Sequence, residues 1–304
     1  MTSKSLLAAL GLLAAFAFSP TIHADSAADQ GESKADAFLK TLHPKTGDVS
    51  VPEAQATLKL GSNYSYLGAD DAQRVLTQLW DNPPDKEVLG MILPSTDPNV
   101  LLDEKSWAVV VTYTADGYVS DEDAAKTDYD SMLKDMQKAT TDENPERLKQ
   151  GYPAIELMGW AEPPRYDSAS HKLYWARDLK FTSTDGKNEG RTLNYAIRVL
   201  GRHGYLSLNA VAPMGELAQV HADMPDVVSM AEFDPGNRYT DFNSSTDKLA
   251  AYGIGALVAG GIAAKAGLFA KLGLLLLKFS KLILVGLAGI GGFIAKLFGR
   301  KKAS

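Results

Sequence analysis

Cysteine is absent from this 304-residue chain. That excludes a disulfide framework, thiolate metal sites and thiol nucleophiles. Histidine is scarce, at five residues, and no pair has the H-E-x-x-H spacing that puts two imidazoles on one helix face for zinc. There is no G-x-S-x-G elbow, no S-x-x-K and no phosphate-cradling loop. Gly201-Arg202-His203-Gly204 is too short to hold a nucleotide and reads as a hairpin turn. The acidic group Asp116, Asp121, Glu122, Asp123, Asp128 and Asp130 lacks the alternating ligands and closing glutamate of an EF-hand. It reads as a capped, solvated helix start, with Ser120 as the N-cap. Neither a metal nor a cofactor is expected. The catalytic residues, if any, stay unassigned, because a Ser-His-Asp set need not be close in sequence. A net charge of −6 argues against a nucleic-acid partner.

A second absence is regional. From Leu249 to Phe298 there is no acidic residue. Two uncharged apolar runs, Leu249 to Ala264 and Leu282 to Ala295, flank Lys265, Lys271, Lys278 and Lys281. On a helix, Lys271, Lys278, Lys281 and Lys296 fall on one narrow stripe, which suits a helix at the headgroup boundary. Neither run reaches the ~20 residues of a comfortable crossing. Small residues four apart (Gly255, Ala259, Ala263) permit close helix contact, and Arg300, Lys301 and Lys302 fit a cytoplasmic end. Residues 248–304 are therefore expected to be a helical membrane anchor, with one crossing favoured over two. At the other end, Lys4, the apolar run Leu6–Phe18 and a small residue at Ala24 predict a signal peptide over 1–24. Residues 25–50 are polar and predict a linker or loosely docked arm, with one short amphipathic piece from Lys34 to Leu42.

Between these ends lies an expected exported domain, residues 51–247. ATLKLGSNYSYLG alternates on both sides of Gly61 and predicts two strands. ADDAQRVLTQLW has helical spacing and stops at Asn82-Pro83-Pro84. EVLGMILP, SWAVVVTY, AIELMGWA, KLYWARDLKF, RTLNYAIRVLG and GYLSLNAVA predict strands, and DGKNEG from Asp185 a hairpin loop. Tyr129, Met132, Leu133 and Met136 mark one helix face. Short helices are expected near Met214–His221 and Pro225–Met230. Strands and helices come in runs, so the fold class is α+β with a mainly antiparallel sheet and packed helices.

One polar and aromatic set stands out: Trp160, Arg165, Tyr166, Trp175, Arg198 and Arg202. Guanidinium groups beside aromatic rings can bind anionic or sugar-like groups by stacking and bidentate bonds, so these six residues form the candidate binding surface. The competing reading is a sheet core with cross-strand aromatic pairs and arginine–carboxylate ties.

The strings VVVTYTADGYVSDEDAAKTDYD, NPERLKQGYPAIELMGWAEPPRYD, KLYWARDLKF, LNYAIRVLGRHG, FDPGNRYTDF and TDKLAAYGIGALVAGG resemble the DUF2167 family, bacterial membrane-anchored proteins of unknown function. The resemblance runs from about residue 50 into the tail. It implies an exported domain with a C-terminal membrane segment and brings no catalytic residues. The expected function is a non-enzymatic binding, scaffold or envelope-stress role at the bacterial inner membrane, with the folded domain facing the periplasm or cell exterior. The lipid bilayer and another envelope protein are the expected partners. The alternatives are a membrane-tethered hydrolase of an envelope substrate and a membrane-remodelling protein acting through its tail.

Overall fold

The alternating runs of the sequence pair with one another in space. The structure, a computed structural model, describes residues 34–259 apart from Asp81 and Glu104. In chain order the elements are α1 (Lys34–Leu39), β1 (Asp48–Val51), β2 (Ala56–Lys59), β3 (Ser65–Gly68) and α2 (Ala69–Arg74), which runs on into a π-helical stretch, Val75–Leu79. Then come β4 (Val88–Leu93), β5 (Ala108–Thr114), β6 (Tyr118–Ser120), α3 (Tyr129–Lys149), β7 (Ala154–Asp167) and β8 (Lys172–Thr182). The last are β9 (Glu189–Leu200), β10 (Tyr205–Pro213), α4 (Leu217–Met230), β11 (Ala231–Phe233), β12 (Leu249–Gly253) and the single turn α5 (Gly255–Val258). The fold is mixed α+β with mainly antiparallel sheets. Seven strands form one sheet in the order β3-β4-β5-β10-β9-β8-β7, while β1-β2-β11 form a second and β12 pairs in parallel with β6.

Side chains of paired residues share a sheet face, so register assigns the core. One face of the large sheet is apolar across β5, β9 and β10. It carries Val109 and Val111 of β5, Leu193, Tyr195, Ile197 and Val199 of β9, and Leu206, Leu208 and Ala210 of β10. The small sheet (Val49, Leu58, Phe233) and α4 (Val220, Met224, Val227) cover it. The opposite face is mixed. At its β4–β5 end Met91 and Val110 pack on Leu76 and Trp80 of the α2 segment, and on Leu39 and Leu42. At its β8–β9 end Leu173, Trp175 and Ala196 meet Val119, Tyr239, Ile254 and Leu257. Met136 of α3 packs beside them on Ile155, Leu157, Leu179 and Phe181.

Several local expectations change. The two strands flanking Gly61 join different sheets. Ser120 ends β6 and caps no helix, its hydroxyl accepting only from the Glu122 N–H at 3.4 Å; α3 starts at Tyr129, where the Asp128 carboxylate accepts from the N–H groups of Asp130 and Ser131 at 3.2 and 3.0 Å. The two short helices near Met214 and Pro225 are one helix, α4, with Pro225 inside it. Its buried face (Val220, Met224, Val227) outweighs the hydrogen bond that proline removes. Packed structure also reaches into both flanks of 51–247. Leu39 and Leu42 are buried, and β1 opens at Asp48. Residues 249–258 of the apolar tail form β12 and α5, with Ile254, Leu257 and Val258 buried. Among the described residues no helix is long and apolar enough to cross a membrane. The signal peptide over 1–24 and the anchor beyond residue 259 lie outside the described residues.

The free edge at β7 is closed by two devices. Along its first half, the Asn144 side chain of α3 donates to the Ile155 carbonyl and accepts from the Ile155 N–H, both at 2.8 Å. Gln137 donates to the Leu157 carbonyl at 3.1 Å. Along its second half lie Pro163 and Pro164, where the pairing with β8 shifts register; proline is confined to such edges because it offers no ladder N–H.

Candidate functional site

The six candidate residues do not converge on one surface; the structure divides them among four places. Arg202 sits in the β9–β10 turn as a clamp. Its Nε and Nη2 donate to the two Asp247 oxygens at 2.7 and 3.0 Å, and Nη1 donates to the Gly236 carbonyl at 3.0 Å. The Arg202 hydrogen bond and the Asn243 N–H hold the Asp247 carboxyl well below the usual range. This geometry fixes the turn and leaves the guanidinium little to offer a ligand.

Tyr166 belongs to an aromatic cap at the end of the sheet. Its hydroxyl donates to Asp121 Oδ2 at 2.7 Å and lies 3.3 Å from His171 Nδ1. Tyr239 stacks on Tyr118 and on His171, with ring centres 4.3 and 4.4 Å apart, and Tyr118 stacks on Phe242 at 3.9 Å. Burial foremost, then the Asp121 bond, pushes the Tyr166 hydroxyl far up, so it acts as a neutral donor. The acidic loop before α3 serves the same cap. Asp123 accepts from the N–H groups of Ile254 and Gly255 at 3.0 and 3.3 Å, and Asp116 accepts from the Tyr252 hydroxyl at 2.5 Å. Asp116 and Asp123 thus anchor the 249–258 segment, while Asp128 of the same acidic stretch caps α3. Trp160 adjoins this region half-buried, its Nε1 3.4 Å from the Tyr129 carbonyl.

Arg165 is the exposed member. Register puts it opposite Tyr174 on the apolar-face side, and its guanidinium lies 4.8 Å from the Tyr174 ring centre. Glu162 on the same strand places Oε1 2.5 Å from His221 Nδ1 of α4, and Tyr195 meets the His221 ring edge-on at 6.5 Å. Burial, reinforced by the Glu162 charge, pushes the Tyr195 hydroxyl up. Sequence reasoning missed Glu162 and His221 because 59 residues separate them.

Trp175 and Arg198 meet on the mixed face. The Arg198 guanidinium lies 4.8 Å from the Trp175 ring centre, and Nη1 donates to the Ile197 carbonyl at 3.0 Å. Buried Arg177 lies two residues along β8 on the same face, and Asn209 stands across Ala196 on β10. Burial drives Arg177 down to about 9, with the Arg198 charge contributing, and drives Arg198 down to about 10. Arg177 and Asn209 were not candidates: each sits in an apolar run that reads as core. The signal was available, since a charged residue at an inward position of a central strand demands a partner. Among the described residues no group of three His, Cys, Asp or Glu side chains could hold a metal ion.

The sequence profile of DUF2167, a protein of unknown function, matches residues 43–291. No curated protein matches the chain. Among solved structures, cyanobacterial PsbP (CyanoP) from Synechocystis sp. PCC 6803 superposes with a TM-score of 0.34 at 10% identity, over 64% of this chain and 92% of that one. LpqN of Mycobacterium tuberculosis, involved in cell envelope biogenesis, gives 0.29 at 15% identity, over 68% and 100%. The Saccharomyces cerevisiae Ran-binding protein Mog1p gives 0.26 at 9% identity, over 64% and 96%.

Proposed function

The chain belongs to the DUF2167 family, and from that premise we propose that it is a non-enzymatic binding or scaffold protein of the bacterial envelope. Its folded body captures another envelope protein from outside the cytoplasm. The acid-free segment after residue 259 holds it at the inner membrane. The observation that carries this reading is the exposed rim where Arg165 stacks on Tyr174 beside the Glu162–His221 pair. A stacked guanidinium keeps its edge N–H groups free for a partner's carboxylate or carbonyl while the ring fixes its orientation. Rim residues of this kind, arginine and tyrosine, are enriched where proteins meet. The basic C-terminal cluster and the short leading apolar run support the placement.

The test is photo-crosslinking in intact cells with the full chain. A crosslinker beside Arg165 should trap a defined partner, and Arg165→Ala with Tyr174→Ala should lose it; an unchanged adduct pattern would overturn the site. Placement is read by labelling Ser304→Cys from each side of the membrane, which the lack of native thiols makes unambiguous. Labelling from the outside alone would overturn a single crossing.

A further inference from the structure

The mixed face carries a second feature, on the opposite side of the sheet from Arg165. Register lines up Asn209, Ala196 and Trp175 in one row across β10, β9 and β8. Ser207 and Arg198 form the adjoining row, and Arg177 flanks the other side. Both amide atoms of Asn209, Nε of Arg177 and Nε1 of Trp175 are buried there without a hydrogen bond. Neither Arg177 nor Arg198 forms an ion pair among the described residues, although the two charges are close enough to repel. The acid next to Arg177 in sequence, Asp178, points to the other face and is bound by Arg191. Nor does the continuing chain bring a side-chain carboxylate, because residues 260–304 contain no Asp or Glu.

A buried cation, a half-buried one and several unpaired polar atoms in one place form an unfinished arrangement. Proteins retain a buried charge when something neutralises it. Among the described residues, what this strip lacks is negative charge: Asn209 Oδ1 is an acceptor but carries none. Arginine contributes N–H groups only, and here two guanidinium groups stand on the neighbouring strands β8 and β9. A planar carboxylate is satisfied by one guanidinium fork, whereas a tetrahedral anion presents oxygens in several directions at once.

We propose that this strip is a binding site for a phosphate group, whose oxygens are taken by Arg177 and Arg198 and by the Trp175 and Asn209 N–H donors. The group could arrive as a free ion or as the headgroup of an anionic lipid, and the chemistry of recognition is the same. The site is independent of the Arg165 rim, so either can fail without the other.

The experiment uses the full mature chain in neutral detergent at constant ionic strength. Thermal midpoint and 31P line width are followed against inorganic phosphate, against monomeric short-chain phosphatidic acid, and against chloride as control. A midpoint that rises with inorganic phosphate identifies a free-ion site, and one that rises with phosphatidic acid alone identifies a headgroup site. Arg177→Met and Arg198→Met should each weaken the response at least tenfold. Arg177→Lys, which keeps the charge, should weaken it less, and Arg165→Ala should match wild type. Should a methionine variant fail to fold, Asn209→Leu takes its place and should also weaken the response. No response of the wild-type chain to either phosphate probe overturns the proposal. So does a response that survives in the arginine variants, or in Asn209→Leu where it stands in for them.

Discussion

The two faces of the seven-stranded sheet are built to opposite rules. One is a continuous apolar layer, with Leu206, Leu208, Ile197 and Val111 fully buried beneath a second sheet and a helix. The other has apolar clusters at its ends and a strip across the middle where Arg177, Arg198, Ser207 and Asn209 replace hydrocarbon. Burial stabilises through apolar area, and a buried polar atom without a partner opposes folding. The first face therefore accounts for the fold. The second, where polar atoms are buried without partners, is where the chain gives up stability.

Neighbours in β10 sharpen this contrast most directly, because Leu208 and Asn209 point to opposite faces. Leu208→Ala removes a fully buried side chain from the apolar layer and should cost about 2–5 kcal/mol, read as a fall in denaturant midpoint. A loss below ~1 kcal/mol would break the claim that this face carries the fold.

A smaller effect separates a paired arginine from the two unpaired ones. Asp247 is held below the ordinary carboxylate range by Arg202 and the Asn243 N–H. Its folded value is depressed, so its contribution is present above the unfolded value of about 3.9 and is lost as pH falls through the lower folded one. Arg202→Met should lower stability by its full amount above about pH 4 and by progressively less below it, so that the acid limb of the stability–pH curve flattens, followed by circular dichroism across pH. Arg177→Met, with no carboxylate to release, should not move that acid limb. A matching shift in both variants would mean that an acid also serves Arg177.

The smallest effect belongs to Asn209→Leu. Without ligand it removes two unsatisfied atoms and should change stability by less than ~1 kcal/mol, with a gain as the sharper outcome. A loss as large as that of Leu208→Ala would erase the difference between the faces.

Much of the framework was legible in sequence. KLYWARDLKF, RTLNYAIRVLG and GYLSLNAVA become β8, β9 and β10, since β-branched and aromatic runs between turn signals admit few other structures. The Gly201–Gly204 turn and the DGKNEG loop stand where read, with the Gly201 N–H donating to the Gly204 carbonyl at 2.8 Å. The short partners were not legible. β6, β11 and β12 owe their state to tertiary pairing, with too few residues for a periodic signal. Of the candidate residues, the pairing of Trp175 with Arg198 depends on register, and register is invisible until strand order is known. The acidic loop misled for a related reason. Asp121 and Asp123 look like a helix start locally, yet their acceptors are claimed by Tyr166 and by the Ile254 and Gly255 backbone, 45 to 132 residues away.

The side-chain amide of Asn144 imitates a neighbouring strand, giving and taking one hydrogen bond at Ile155. The β7 border finished in this way has no place for another copy to dock in register, and the proline pair denies the remaining stretch. Crowding of many such molecules together should therefore not seed fibrils from this border. Asn144→Ala would uncover it, turning a self-terminating sheet into one that can be extended by strangers.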